Sequence, residues 1–359
     1  MGDVLGMGVV GAGAIGLRCA FNHLTQEDVK DRVRITAVCD PVPGRAEAAA
    51  KKFGVPKWYL SLEELLADKN VDAGTLGSPI GLHYQQGLAA IAAGKHVHFN
   101  KTMATTVAEC DDLIARAAKK NVRLVASPGM MLHPFNQRIK AKIKEGAIGQ
   151  VVWAATGVGV GDYHLTEDFR NGNDVLTDVD PTWYFRRPGG GPMYDVTVYC
   201  LHNLTGLLGP AKRVTALSGM CLPKREYRGR TIKCDMDDST FISIDFGHAV
   251  YALAFGTVAG GVTRGFNPSI FGTAGSVVGT KVNDQEMRQE GDHQPHVVGV
   301  HAKLPESHVY EDIMQLVDWV REGTASIACA EHARHVIDII ESGYRAAETG
   351  QTQTLKTTF

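Results

Sequence analysis

The chain has 359 residues, of which 44% are hydrophobic and 21% charged, with a formal net charge of -2. That length exceeds what one typical core holds and suits two domains. The near-neutral charge excludes an electrostatic footprint for nucleic acid or an anionic membrane, and no run of 18 apolar residues spans a bilayer, so small-molecule partners are expected.

The opening stretch MGDVLGMGVVGAGAIG carries an acidic residue at position 3 and neither a basic n-region nor a twin arginine, so no targeting peptide is expected. Up to about residue 128, apolar runs at 4–11, 33–40, 71–79, 96–100 and 122–128 alternate with helical patterns, the rhythm of β-α-β units and a parallel sheet. The first run leads into Gly11, Gly13 and Gly16 in G-x-G-x-x-G spacing, where backbone without a Cβ can approach a pyrophosphate at a helix N-terminus. Asp40 ends the second run, where a carboxylate takes hydrogen bonds from a ribose and repels a 2′-phosphate. NAD is therefore favoured over NADP, and Arg45 leaves NADP open if it folds back over the site. Ser61 with Glu64, and Thr106 with Glu109, form S/T-x-x-E capping boxes that predict helix starts.

Lys101 leaves the run HVHFN at its carboxyl end, where a doubly wound sheet binds its ligand. After a helix ending at Gly146, strand-like segments follow at 150–161, 211–221, 239–247, 248–258 and 269–280, predicting an α+β half with a mostly antiparallel sheet. Helical patterns interrupt it at 192–208 and close the chain at 307–323 and 330–350. The middle helix opens with Gly189, Gly190, Gly191 and Pro192, and places Asp195 and Tyr199 four apart on one face. His202 lies one turn further, either a competing base or a packed histidine. Upstream, Trp183, Tyr184 and Phe185 precede Arg186 and Arg187. Aromatic faces suit the C–H faces of a pyranose and guanidinium forks suit hydroxyls, although a packed loop explains the segment equally. Tyr163 and His164 line the same cleft if the preceding strand ends there, and His133 follows the fifth run.

Neither His293 with His296 nor His332 with His335 is joined by a convincing ligand set, so no metal is expected. Cys19, Cys39, Cys110, Cys200, Cys221, Cys234 and Cys329 are scattered without a C-x-x-C pair, which suits reduced thiols in a cytoplasmic protein.

With the segments GVVGAGAIG, CDP, SPIGLHYQQGLAAIAAGKHVHFNKTM, GAIGQVV, GGGPMYDVTVYCLHNL and FGTAGSVVG, nearly the whole chain resembles the Gfo/Idh/MocA oxidoreductases, the glucose-fructose oxidoreductase and inositol dehydrogenase group. The resemblance implies a Rossmann domain at 1–128. It implies an α+β domain at 129–359 with an open, mostly antiparallel sheet that joins subunits as dimers or tetramers, while a helix at about 331–348 packs back on the first domain. It also implies hydride transfer between NAD and a secondary hydroxyl or keto carbon of a sugar, glycoside or cyclitol. The alternatives are a glycosidase-type enzyme that retains NAD and oxidises the sugar transiently, and a non-catalytic sugar or NAD sensor.

By the same resemblance Gly11, Gly13, Ala14, Ile15, Gly16, Asp40, Ser78, Pro79, His83, Asn100 and Lys101 hold the cofactor. Lys101 matches the lysine of the family's Glu-Lys-Pro motif, with Asn100 and Thr102 departing on either side. Asp195 takes a substrate hydroxyl, and Tyr199 is the acid/base, its phenolate favoured by the neighbouring lysine. Tyr163, Trp183, Arg186 and His202 are the substrate contacts expected.

Overall fold

The computed structural model describes residues 4–261 and 265–359; Asp3 lies outside them. Six parallel strands form the first sheet: β1 (Leu5–Val10), β2 (Val33–Cys39), β3 (Lys57–Tyr59), β4 (Ala73–Leu76), β5 (His96–Phe99) and β6 (Leu124–Ala126), in the order β3-β2-β1-β4-β5-β6. β1 is buried along its whole length, as a strand covered on both faces must be. All five expected runs are strands. β3 was not expected, because three residues on a sheet edge, with Trp58 exposed, show neither an apolar run nor a period. The lysine strand is therefore the fifth of the sheet, not the fourth. Both capping boxes form: Ser61 starts the helix Leu62–Ala67 and Thr106 the helix Val107–Lys120, each cap and its glutamate satisfying one another's backbone N–H.

The second sheet has nine strands. β7 (Val151–Gly159) pairs parallel with β12 (Val250–Thr257), and every other pairing is antiparallel, through β8 (Arg213–Gly219), β11 (Ser239–Gly247), β13 (Ser269–Gly272) and β14 (Ser276–Val278) to the short β15 (Lys281–Val282), β16 (Gln285–Glu286) and β17 (Gln353–Thr354). A separate hairpin of β9 (Lys224–Tyr227) and β10 (Arg230–Lys233) stands apart from it. Ile242, Ile244, Ala252 and Ala254 turn inward and pack with residues of the helices Pro134–Lys144, Val198–Leu208 and Ala330–Thr349. Their alternates Phe241, Tyr251 and Leu253, with Trp153, are exposed.

Residues far beyond 128 pack on the core of the first domain. The helix Ser307–Glu322 returns to it and sets Val309, Tyr310, Ile313, Leu316 and Val317 in one core with Met7, Val9 and Phe21. The helix Ala330–Thr349 serves both cores, with Ala333 and Ile337 in one and Val336, Ile339 and Ile340 in the other.

One polar chain crosses this junction. Thr75 Oγ1 lies 2.8 Å from His98 Nδ1, His98 Nε2 lies 3.0 Å from Ser127 Oγ, and Ser127 donates to Asp312 Oδ2 at 2.5 Å. Asp312 is fully buried and its second oxygen has no hydrogen-bond partner, so burial pushes its carboxyl up to about 7. The native state therefore holds a proton that the unfolded chain gives up near pH 4, and this contribution to stability is lost as pH rises from about 4 through 7. At about 1.4 kcal/mol per unit, Asp312→Asn should gain roughly 2–4 kcal/mol on the wild type between pH 5 and pH 8 in denaturant melts. Parallel stability curves for the two proteins would show Asp312 to be ionised throughout.

Candidate active site

A cleft of about 850 Å³ runs from Gly11, Gly13 and Asp40 past Ser78 and Asn100 to Lys101, Trp183 and Tyr184. At its first end, each glycine of the fingerprint has its own reason. Gly11 takes a positive φ of 93°, and a Cβ on Gly16 would run into the Gly11 carbonyl oxygen, so Gly16 lets the helix pack against the strand. Gly13 is different. A Cβ there would meet nothing closer than Val179 at 3.8 Å, which leaves an open backbone face toward the cleft where a pyrophosphate would lie. Ala14 and Ile15 line the same wall.

Asp40 accepts from the backbone N–H of Ala12 and of Val42, both at 2.9 Å, and thus ties the glycine loop to the end of β2. Arg45 does fold back, its Nη1 3.7 Å from Asp40. It is occupied there: its Nε and Nη2 donate to the carbonyls of Val175 and Asp178 at 2.9 and 2.8 Å. The segment it holds, 175–180, is tied to the hairpin β9–β10 by ion pairs Arg228–Asp178 and Arg230–Asp180, so the second domain straps over the ribose end. These residues fit a dinucleotide: an open glycine face, a carboxylate at the ribose position and a helix start between them.

At the other end, Lys101 Nζ donates to Asp195 Oδ1 and to the Asp195 carbonyl, both at 2.6 Å. The strand β5 delivers the lysine. The turn before the helix Val198–Leu208 delivers the aspartate, and that turn begins at Pro192 as the sequence indicates. Asp195 Oδ2 accepts from the Tyr163 hydroxyl at 2.5 Å and lies 2.7 Å from His164 Nε2. Burial works to raise the Asp195 carboxyl, but Lys101 and His164 outweigh it and hold it well below the usual carboxylate range. Rings then stack outward in sequence: Tyr163, His164, Tyr184 and Trp183, each 3.8 Å centroid to centroid from the next. Arg170 caps this ladder by donating to the Tyr184 hydroxyl at 3.2 Å.

Tyr199 sits beneath Lys101, whose Nζ is 5.5 Å from the ring centroid. The expectation of a ready phenolate is corrected. Tyr199 is buried, and burial first, then the charges of Glu306 and Asp195, push its hydroxyl well above the ordinary tyrosine range. Its OH points to His308 Nε2 at 3.2 Å, a residue 109 positions away that the sequence reading passed over as part of a helix start.

The remaining expected contacts divide. Ser78 and Pro79 line the cleft. His83 is fully buried with its ring nitrogens on the carbonyls of Thr102 (2.7 Å) and Ser78 (3.0 Å), so it braces the strand ends and has no nitrogen free for a cofactor. Asn100 Oδ1 accepts from the Lys101 N–H at 2.7 Å. Trp183 lines the cleft, whereas Arg186 is exposed outside it. His202 is corrected as a base: it packs on His332 at 4.6 Å, and burial lowers its pKa to about 3. Among the described residues no cluster of three or more His, Cys, Asp or Glu could hold a metal, and no helix is long and apolar enough to cross a membrane.

The two glycines give opposing expectations. Gly13→Ala should melt near the wild-type temperature yet weaken NAD binding at least about tenfold by fluorescence titration. Gly16→Ala should lower the melting temperature itself, because backbone must move. Equal effects of both substitutions on stability would remove Gly13 from the pyrophosphate wall.

Comparison with known proteins places the chain in a family. A family model described as "Oxidoreductase family, NAD-binding Rossmann fold" matches residues 5–127, and its companion, "Oxidoreductase family, C-terminal alpha/beta domain", matches 140–356. Curated relatives include an uncharacterized oxidoreductase of Synechocystis, 27% identical over 65% of this chain and 61% of its own, and mouse trans-1,2-dihydrobenzene-1,2-diol dehydrogenase, 26% identical over 68% of this chain and 66% of its own. The match thus spans less than two thirds of those relatives' length. Levoglucosan dehydrogenase, solved with NADH and levoglucosan, superposes with a TM-score of 0.77 at 18% identity over 99% of this chain and all of the other. Matched along both halves, the chain belongs to the Gfo/Idh/MocA family of NAD-binding oxidoreductases.

Proposed function

We propose that this protein is an NAD(H)-dependent dehydrogenase acting on a secondary hydroxyl, or the matching ketone, of a sugar, glycoside or cyclitol. The observation that carries the reading is the Lys101–Asp195 pair: Lys101 leaves the carboxyl end of a strand of the NAD-binding sheet and lines the cleft that the glycine loop opens, and buried Asp195 holds its ammonium. The mouse relative's named substrate is a vicinal ring diol and levoglucosan is an anhydrosugar, so both are ring compounds with neighbouring oxygens.

When bound, the nicotinamide accepts or returns the hydride. Lys101 polarises the reacting oxygen and stabilises negative charge that develops on it. Asp195, kept ionised by Lys101 and His164, accepts a hydrogen bond from a neighbouring hydroxyl, and Tyr163 and His164 fix its plane. Trp183, the last ring of the stack and a lining residue of the cleft, offers a ring face to the apolar side of a sugar or cyclitol. Tyr199 exchanges the hydroxyl proton. NAD is the expected cofactor, since Asp40 stands at the ribose and Arg45 is already committed to two carbonyls. The strap that Arg45, Arg228 and Arg230 lay over the ribose end covers a bound cofactor there, and this is the observation that keeps the retained-NAD glycosidase reading as the second candidate.

A screen of monosaccharides, anhydrosugars, glycosides and cyclitols with NAD and with NADP, followed at 340 nm, tests the assignment. Lys101→Met should bind NAD within about threefold of wild type but turn over roughly a thousandfold more slowly. Full turnover by that variant would remove Lys101 from the reaction, and glycoside cleavage with no NADH ever released would replace the dehydrogenase by the second reading.

We also propose that two copies pair through the nine-stranded sheet, whose outer face bares Trp153, Phe241, Tyr251 and Leu253. Light scattering should report at least a dimer, and Tyr251→Glu with Leu253→Lys should yield monomer. A wild-type monomer at about 50 μM, above typical dimer constants, would dismiss the interface.

A further inference from the structure

A buried tyrosine whose hydroxyl resists ionisation is a poor base by itself, and its neighbours bear on that difficulty. Tyr199 is 9% exposed and stacked on Phe266 at 4.7 Å, so no phenolate is stabilised there by water. The hydroxyl lies 3.2 Å from His308 Nε2, with the two rings edge to face at 5.6 Å. The His308 side chain is 33% exposed and so links the buried phenol to water. Glu306 Oε2 stands 3.8 Å from the same Nε2, and Arg18 fixes that carboxylate at 3.2 Å. Lys101, His133 and His23 face the histidine and Glu306, and Asp195, Asp312 and Tyr184 act on the Tyr199 side of the cluster. Burial lowers the His308 pKa, Lys101 adds to that and Glu306 opposes it, so the imidazole is neutral near pH 7 and can accept a proton.

We propose that Tyr199 and His308 work as one acid/base unit, in which His308 takes the phenolic proton while Tyr199 takes the proton of the substrate hydroxyl. This rests on Tyr199 being the group next to the reacting oxygen. In oxidation, the hydride leaves the substrate carbon with its electron pair for the nicotinamide and the C–O bond becomes a carbonyl. The hydroxyl proton moves to the Tyr199 oxygen and the Tyr199 proton to His308 Nε2. The resulting imidazolium faces Glu306, and losing its proton to water restores the pair. Reduction runs the same steps backward. At no point does a free phenolate stand in the buried site, which removes the cost that burial imposes on Tyr199 acting alone. His308 touches no substrate and acts only through Tyr199, as a positioning residue with a proton to pass.

The requirement is a neutral tautomer with Nε2 bare and the proton on Nδ1. Nitrogen-15 spectra of histidine-labelled, cofactor-free protein read this directly. The expected result is an unprotonated Nε2 in the wild type above the imidazole pKa, with a changed tautomer population in Tyr199→Phe. A protonated Nε2 overturns the relay whatever the activity. In turnover, His308→Gln should lower kcat by about tenfold to a hundredfold, leave KM and NAD affinity within about twofold, and lose the low-pH limb of the kcat profile. Added imidazole should restore part of the rate. A His308→Gln enzyme with wild-type kcat and an unchanged profile also overturns the relay, whereas wild-type turnover by Tyr199→Phe would instead defeat the assignment of Tyr199 itself.

Discussion

Lys101 and Asp195 come from different domains, and burying both would be unfavourable were each not so fully partnered. Taking two charges out of water costs several kcal/mol per ion, and only close geometry with further hydrogen bonds repays it. Asp195, 1% exposed, receives Lys101 on one oxygen and Tyr163 and His164 on the other, while Lys101 adds a bond to the Asp195 carbonyl. The turn that carries Asp195, the short helix that carries Tyr163 and His164, and the strand β5 must therefore meet at one point. Replacing the pair with apolar residues would be the cheaper way to join two domains. The pair as it stands fixes an ammonium that lines the cleft against a buried carboxylate from the other domain.

The cleft is held differently at its two ends. Near Lys101 the walls are rigid: rings in a ladder, an arginine cap and a buried carboxylate. Near Asp40 the wall is a strap whose ties, Arg228–Asp178 and Arg230–Asp180, are solvent-exposed ion pairs, each worth about 1 kcal/mol or less. Such ties can open without disturbing the core, so the ribose end is where a dinucleotide can enter while the reacting end keeps its geometry.

Local chemistry was legible wherever a few adjacent residues decide it. Ser61 with Glu64 and Thr106 with Glu109 start helices because cap and glutamate satisfy each other within one turn. Gly11 and Gly16 are legible because a Cβ at either would crowd backbone, and Gly13 because it leaves an open face where a dinucleotide would lie. Spacing and strand-end logic single out Asp195 and Lys101, which the fold brings to 2.6 Å of each other. What escaped was nonlocal or too short. Three residues at an edge, Lys57–Tyr59, have no period to read, and the hairpin β9–β10 is charged and strand-like only in pairing. The packing of Val309 and Tyr310 on the first core escaped because they return to it only after the whole second sheet has been built. His308 meets Tyr199 across 109 residues, and no pattern in either segment announces it. The effect of burial on Tyr199 was misjudged for the same reason: the lysine nearby was visible in sequence, but the depth of the phenol was not.

The two departures from the family's Glu-Lys-Pro motif, Asn100 and Thr102, can be weighed by what they now hold. Asn100 needs no charge to accept the N–H of Lys101, which its Oδ1 does at 2.7 Å. Thr102 replaces a ring restraint with bonds: its hydroxyl donates to the Ala104 carbonyl at 2.8 Å, and its own carbonyl meets His83 Nδ1 at 2.7 Å. Both residues are buried, as is His83, so the contacts are shielded from competing water. The backbone on each side of Lys101 is thus pinned by side-chain hydrogen bonds where the family uses a carboxylate and a proline. Held on both sides by these contacts, Lys101 ion-pairs with Asp195 and so ties the end of β5 to the second domain.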